Sequence, residues 1–173
     1  GGIIMAIYFP NSELGEVCCE TWRITSHFTG DNNLMGGNSL INWEKSDDVY
    51  GTGNDTSILS HSNGQFTFGK YGWFLVHFFG YFYYSDNSRW NELQLYVSWN
   101  SGANWDYHTI ATSHMSPNTS NNYNQSCSGS SIVLGNANAR LRFGVNVENN
   151  SVTTYGTTNE NYTGFTIIKV SEA

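Results

Sequence analysis

The sequence predicts an all-β domain, an antiparallel sandwich of jelly-roll type with about eight to ten strands. Aromatic residues make up 16% of the chain and charged residues only 12%, a balance typical of strands and turns. No window keeps an apolar repeat near 3.6 residues for three turns, as an amphipathic helix would. Short apolar or alternating runs instead follow one another between turns rich in Asn and Gly.

The chain is long enough for one compact domain, with 173 residues of which 39% are hydrophobic. We assign residues 1–20 to an N-terminal lead segment and residues 21–173 to the jelly-roll domain. Within the lead, residues 1–4 resemble a cloning remnant before a natural start at Met5. Neither an internal repeat nor a long linker divides the rest.

The first predicted strand is "TWRITSHFT", residues 21–29, which alternates between apolar and polar side chains. Trp22, Ile24 and Phe28 share one face of it. Residues 30–57 follow as a turn-rich segment, in which only "LINWE" has the pattern of a strand. We therefore expect a long loop that holds one short edge strand.

The next passage, "QFTFGKYGWFLVHFFGYFYY", turns between Gly69 and Gly72 and then stays apolar up to residue 84. Successive strand side chains point to opposite faces, so a half-buried strand would alternate with polar residues. This one is aromatic or aliphatic on both faces. One face carries Trp73, Leu75, His77, Phe79, Tyr81 and Tyr83, and the other carries Phe74, Val76, Phe78, Phe82 and Tyr84. Both faces need cover from water.

The second half of the chain continues the alternation of strands and turns. Residues 92–99 and 107–115 form a hairpin joined by an Asn/Gly turn. Residues 116–130 are a polar loop that no core would hold. The remaining predicted strands are 131–135, 139–148, 151–158 and 163–170.

Charge and patterning exclude several classes of partner. The net charge is −7 and the seven Lys and Arg residues are scattered, so the chain lacks a surface that could follow nucleic-acid phosphates. No run reaches the ~18 apolar residues of a membrane helix, and we expect no membrane insertion. The first residues lack a secretion-signal pattern. The three cysteines cannot all pair within one chain, which favours free thiols.

Three passages resemble the jelly rolls of the tumour necrosis factor (TNF) and complement globular-head family. They are "FTFGKYGWFLVHFF", "SIVLGNANARLRFGVNV" and "YTGFTIIKV", and together the likeness extends over about residues 20–170. The family's positions are matched by Gly72, Phe74 and Val76 in the first passage and by Gly164, Phe165 and Ile167 in the last. The Asn-rich chain as a whole is most similar to such jelly rolls in bacteriophage tail-fibre tips and capsid decoration proteins.

The resemblance implies a homotrimer, which would also explain the two apolar faces of the 72–84 strand. One face would pack inside the sandwich and the other would meet neighbouring copies around a threefold axis. The predicted interface residues are Trp73, Leu75, His77, Phe79, Tyr81 and Tyr83. In the alternative, the long 30–60 segment covers this face within a monomer.

Other aromatic residues stand among Asn, Asp and Ser, the setting in which rings commonly stack on sugars while amides take hydroxyl groups. As ligand-binding residues, for a host-surface glycan or receptor, we name Trp90, Trp105, Tyr107 and Tyr123. The alternative is that these rings anchor loops. The oxygen-rich loop at Asp47 and Asp48 is a candidate calcium site, because complement-like heads hold such ions near the trimer apex; an ordinary solvated loop is the alternative.

No catalytic residue is predicted. The sequence contains no nucleophile elbow and no Gly-rich phosphate loop, and the five histidines form no motif. We expect a non-enzymatic, trimeric virion protein made in the host cytoplasm, either a tail-fibre or spike tip or a capsid decoration protein seated on capsid proteins. One alternative is an extracellular TNF/complement-like or lectin-like module of a cell. A cupin-type enzyme would need clustered His and Glu ligands.

Overall fold

The computed structural model describes residues 18–32, 42–46, 57–84, 88–114 and 123–173, and within them the all-β prediction is confirmed. In chain order the strands are β1 (Cys19–Ile24), β2 (Ser26–Thr29), β3 (Trp43–Lys45), β4 (Leu59–Ser62), β5 (Gln65–Phe68), β6 (Gly72–Tyr84), β7 (Trp90–Ser98), β8 (Asp106–His114), β9 (Tyr123–Gly135), β10 (Arg140–Val147), β11 (Thr153–Thr157) and β12 (Gly164–Ser171). None of the described segments forms a helix that could cross a membrane.

The strands form two antiparallel sheets of a jelly-roll sandwich. Sheet A has the order β2-β11-β6-β12-β1-β3, with β9 on the other edge of β6, and sheet B has the order β4-β5-β10-β7-β8. The described residues thus hold twelve strands, more than the eight to ten predicted. One reason is that residues 21–29 divide at Thr25, because β1 pairs with β12 whereas β2 pairs with β11. The lead segment up to residue 17 lies outside the described residues.

The core lies between the two sheets and is built largely from rings. Phe165 of sheet A stacks on Phe143 of sheet B with 4.5 Å between ring centroids. Phe66 meets Phe165 edge to face at 4.8 Å. From β6, the inward side chains Phe74, Val76, Phe78 and Phe82 are fully buried. Each such ring removes about 150–250 Å² from water, and burial of this kind is the main stabilising contribution to a sandwich of this size.

A buried carboxylate ties three strands together at one end of the sandwich. Glu20 of β1 accepts hydrogen bonds from the indole Nε1 of Trp22 at 2.9 Å and from the backbone N–H of Ile58 at 2.6 Å. Lys45 of β3 donates to it at 2.8 Å, so the charge is compensated. A buried carboxylate needs such partners, because an unpaired one would cost several kcal/mol. The ends of the segment between β3 and β4 are thereby held against β1.

The prediction of a polar loop over residues 116–130 is wrong for residues 123–130. These residues form the first part of β9, which pairs with β6 from Tyr84 to Gly72 along the whole length of both strands. The reason lies in the size of the β6 rings: a Cβ atom on Gly129 would lie 2.6 Å from the Phe78 ring. Phe78 fills the volume on the inner face, so the partner strand carries Gly at that position, and its outward positions carry exposed serines. Small polar residues in β9 therefore resemble a loop in sequence.

Candidate functional site

The six predicted interface residues all lie on the outer face of β6, away from the core. Trp73 exposes 41% of its surface and His77 is exposed, while Leu75, Phe79, Tyr81 and Tyr83 are half-buried. One face of the strand packs inside the sandwich as predicted, while the described residues leave the other face partly open.

Small residues on the neighbouring strand leave the rings of this face uncovered. Across the β6–β9 pair, Phe79 lies opposite Ser128 and Tyr81 lies opposite Ser126. The imidazole Nδ1 of His77 lies 2.9 Å from the hydroxyl of Ser130. Because cross-strand neighbours are the groups that can cover a side chain within a sheet, serines opposite rings leave aromatic surface facing outward.

Further side chains of sheet A extend this surface at both ends of β6. At one end Tyr81 meets Tyr155 and Tyr162, with ring centroids 5.6 and 5.3 Å apart. At the other end Leu75 lies opposite Ile132 of β9 and Ile168 of β12. We use the term aromatic face for the outer-face residues Trp73, Leu75, His77, Phe79, Tyr81, Tyr83, Ile132, Tyr155, Tyr162 and Ile168.

Two of the predicted ligand-binding residues, Trp105 and Tyr107, come together on the outer face of sheet B. They meet two residues that the sequence did not single out, Tyr96 of β7 and Arg142 of β10. Arg142 lies opposite Tyr96, and its Cζ atom is 4.5 Å from the ring centroids of both Tyr96 and Trp105. The rings of Tyr96 and Tyr107 are 4.5 Å apart. We call these four residues the Arg142 cluster.

A chain of hydrogen bonds continues from the Arg142 cluster along β7. The hydroxyl of Tyr96 donates to Gln94 at 2.7 Å, and the amide of Gln94 donates to Glu92 at 3.1 Å. Asn146 also donates to Glu92, at 3.3 Å. Burial, followed by hydrogen bonding with Tyr107, raises the pKa of Tyr96. The hydroxyl therefore stays protonated and can act as a donor at any physiological pH.

The other predicted site residues do not join this cluster. Trp90 opens β7, about 20 Å from Tyr96 by strand rise, and is half-buried. Tyr123 is the first residue of β9, and the structure does not describe its side chain. Asp47 and Asp48, the candidate calcium ligands, lie outside the described residues. Within the described ranges, no three His, Cys, Asp or Glu side chains are grouped as a metal site would require.

Of the other titratable residues, His61 and the cysteines have structural surroundings. His61 packs against Trp22 and Phe66, and burial lowers its pKa. Cys18, Cys19 and Cys127 form no disulfide. Burial raises the pKa of Cys127 to about 11, which makes its thiol unreactive at neutral pH.

Sequence reasoning missed Arg142 and Tyr96 although their strands show an alternating pattern. In "ELQLYVSW" and "RLRFGVNV" every second residue, except Gly144, is polar or amphipathic, which correctly indicates an outward face. The pattern does not say which strands are neighbours. The β7–β8 hairpin is expected from its turn, but the pairing of β10 with β7, which brings Arg142 to the other three side chains, follows only from the fold.

Neither the protein-family models nor the curated protein sequences match this chain. Solved structures do match it. The Eiger TNF structure from S. frugiperda matches with a TM-score of 0.59 and 12% identity, over 91% of this chain and 93% of that one. Murine APRIL at pH 5.0 and at pH 8.5 matches with a TM-score of 0.55 and 8% identity, over 87% and 88% of this chain and 99% and 100% of theirs.

At such low identity the likeness establishes the fold alone. The chain has the jelly roll of the TNF-like proteins, and that part of the prediction is confirmed. The predicted similarity to bacteriophage proteins stays a prediction.

Proposed function

We propose that the chain is a homotrimeric recognition module that acts by adhesion rather than catalysis. The observation that carries the proposal is the aromatic face, which the described part of the subunit leaves open. Its six β6 residues follow one another on a single side of one strand, and Trp73 alone exposes 41% of its surface. Contiguous apolar patches on soluble proteins mark interaction surfaces.

A second copy of the same chain is the cover that best fits this face. Every copy presents an identical face, and closed rotational symmetry lets each copy cover another without leaving a surplus patch. The aromatic face contains no Lys, Arg, Asp or Glu, and its centre is a row of rings opposite serines. The TNF-like resemblance noted in the sequence implies a trimer and agrees with this reasoning. Cover by residues 30–60 of the same subunit is the competing outcome.

For the biological setting we propose a virion, as a bacteriophage tail-fibre or spike tip or as a capsid decoration protein. The Asn-rich composition with few charges supports it, and the resemblance to such proteins that the sequence predicts agrees with it. The fold shared with Eiger TNF and murine APRIL favours a second candidate, an extracellular TNF-like binding module. The genes that flank this one distinguish the two, since tail or capsid genes as neighbours support the first and their absence contradicts it.

The assembly is tested by light scattering with two glutamate variants. The wild-type chain should have a mass of about 58 kDa, three times the 19.4 kDa of the subunit. Leu75→Glu should reduce this to the mass of one subunit, because each interface would then bury an unpaired carboxylate. Tyr107→Glu introduces the same charge on sheet B and should leave the trimer intact. A wild-type monomer, or equal behaviour of the two variants, contradicts the trimer.

A further inference from the structure

Arg142 is a cation on an acidic protein, and it forms no ion pair with any residue that the structure describes. Within the described segments, four of the seven basic side chains form ion pairs with a carboxylate: Arg23 with Glu44, Lys45 with Glu20, Arg89 with Glu148 and Lys169 with Glu172. None of those described ion pairs involves Arg142. Its Nε is buried and has no hydrogen-bond partner among the described residues.

The guanidinium of Arg142 is nevertheless held in a defined place. Tyr96 and Trp105 each lie 4.5 Å from its Cζ atom, within the range of a cation–π contact. Rings of this kind contact the flat faces of a guanidinium, so hydrogen bonds to a ligand form only at its edges. Those edges carry five N–H donors in a fixed fork. Burial also lowers the pKa of Arg142, the expected effect on a cation that lacks a counter-ion.

The surroundings of Arg142 offer complementary groups for a sugar. Tyr107 exposes 63% of its surface beside Tyr96, so its ring presents a flat apolar face to solvent. Glu92 and Asn146 lie further along the same face of β7 and β10, about 13 Å from Arg142 by strand rise, and bond to each other, so a single pyranose on Arg142 does not reach them. Stacking on a ring, together with hydrogen bonds to hydroxyl groups, is the usual chemistry of a pyranose site.

We propose that the Arg142 cluster binds an acidic pyranose, with the sugar carboxylate on the fork of Arg142 and the sugar ring on Tyr107. A carboxylate matches the fork with two parallel hydrogen bonds and supplies the missing counter-charge. The inference deepens the proposed recognition function and rests on it. It does not rest on the trimer, because the cluster belongs to the outer face of sheet B within one subunit.

The test is calorimetric titration of the full chain at low salt with a galacturonic acid tetrasaccharide and with sialyllactose. A galactose tetrasaccharide, a sulfated galactose tetrasaccharide and a glutamate tetrapeptide serve as comparison probes. We expect millimolar or tighter binding of at least one carboxylated sugar, and about tenfold weaker binding of the comparison probes, because the cluster selects a carboxylate and a ring together.

Variants of Arg142 test whether the sugar binds at the Arg142 cluster. Arg142→Gln should weaken binding of the carboxylated sugar at least about tenfold, and Arg142→Lys should restore little of it, since an ammonium has no fork. Arg140→Gln is the matched control. Arg140 lies two residues away on the same face, but its guanidinium donates to the carbonyl groups of Ala137 and Ala139, so this variant should bind as the wild type does.

The proposal is overturned if neither carboxylated sugar binds at millimolar concentration, or if the neutral, sulfated or peptide probe binds equally well. Unchanged binding in Arg142→Gln overturns it as well. The Leu75→Glu variant separates this test from that of the assembly. Sugar binding that persists in a monomeric chain supports the Arg142 site even where the trimer fails, and a trimer without sugar binding contradicts the Arg142 site alone.

Discussion

The outer faces of the two sheets differ in how far their side chains are covered by the same subunit. On sheet A the outward rings of β6 lie opposite serines and stay open, as with Phe79 opposite Ser128. On sheet B the outward residues Tyr96 and Gln94 are covered by their own subunit and expose only 4% and 3% of their surface. Ring contacts and a chain of hydrogen bonds within the subunit cover these two residues, although Tyr107 beside them exposes 63% of its surface. The described residues of sheet A leave its aromatic face without such cover.

The difference shows how one chain separates folding from association. Residues that point inward from β6 stabilise the subunit, whereas those that point outward contribute little until a partner covers them. The comparison can therefore be tested by variants at neighbouring positions, because adjacent residues of a strand belong to opposite faces.

The largest effect is expected from the adjacent phenylalanines of β6, compared in the monomeric Leu75→Glu background. Phe78→Ala should lower the free energy of unfolding by about 3–5 kcal/mol, because a fully buried ring leaves a cavity. Phe79→Ala should cost less than about 1 kcal/mol, since the outward ring is only half-buried. Urea unfolding measures both.

In the wild-type background, Phe79→Ala should have the larger effect on subunit association, although Phe78→Ala has the larger effect on the free energy of unfolding. There Phe79→Ala should weaken subunit association while Phe78→Ala acts mainly through folding. Equal losses of unfolding free energy in the monomeric background would show that the two faces of β6 are not distinct.

A smaller effect is expected from Cys127, which faces the core from β9, compared with the exposed Cys19 of β1. Burial raises the pKa of Cys127 from 9.0 to about 11. Above pH 9 the thiol ionises in the unfolded chain but not yet in the folded one. The free energy of unfolding should therefore fall between pH 9 and pH 11, by about 3 kcal/mol at most from this group.

Cys127→Ala should make the decline of stability between pH 9 and pH 11 shallower. Cys19→Ala should leave the decline as in the wild type, and Tyr96, whose pKa is also raised, contributes equally in both variants. The measurement is urea unfolding at a series of pH values. Identical slopes for the wild type and Cys127→Ala would mean that Cys127 titrates alike in both states.

Much of the fold could be predicted from the sequence because alternation is a local property. Strand β6, the β7–β8 hairpin and strands β10 to β12 were all identified from apolar spacing and turn residues. Strand β9 was partly missed, since Gly129 is small in response to the Phe78 ring of β6 and the outward residues beside it are exposed serines. Such a dependence between distant residues is not visible in a single sequence.

The candidate site was less predictable for a related reason. Trp105 and Tyr107 stand near each other in the chain, so their grouping could be expected. Arg142 reaches them only because β10 lies beside β7 in sheet B. The outward face of β6 was predictable, because its surplus of rings is contained in one strand.

The central claim, that copies of the chain cover the aromatic face, is tested most directly by hydroxyl-radical footprinting with mass spectrometry. Trp73 exposes 41% of its surface in the single subunit, and Tyr107 on sheet B exposes 63%. In the wild type, Trp73 should be protected from oxidation and should become reactive in Leu75→Glu, while Tyr107 reacts alike in both. Trp73 that is equally reactive in the wild type and in Leu75→Glu would contradict the claim.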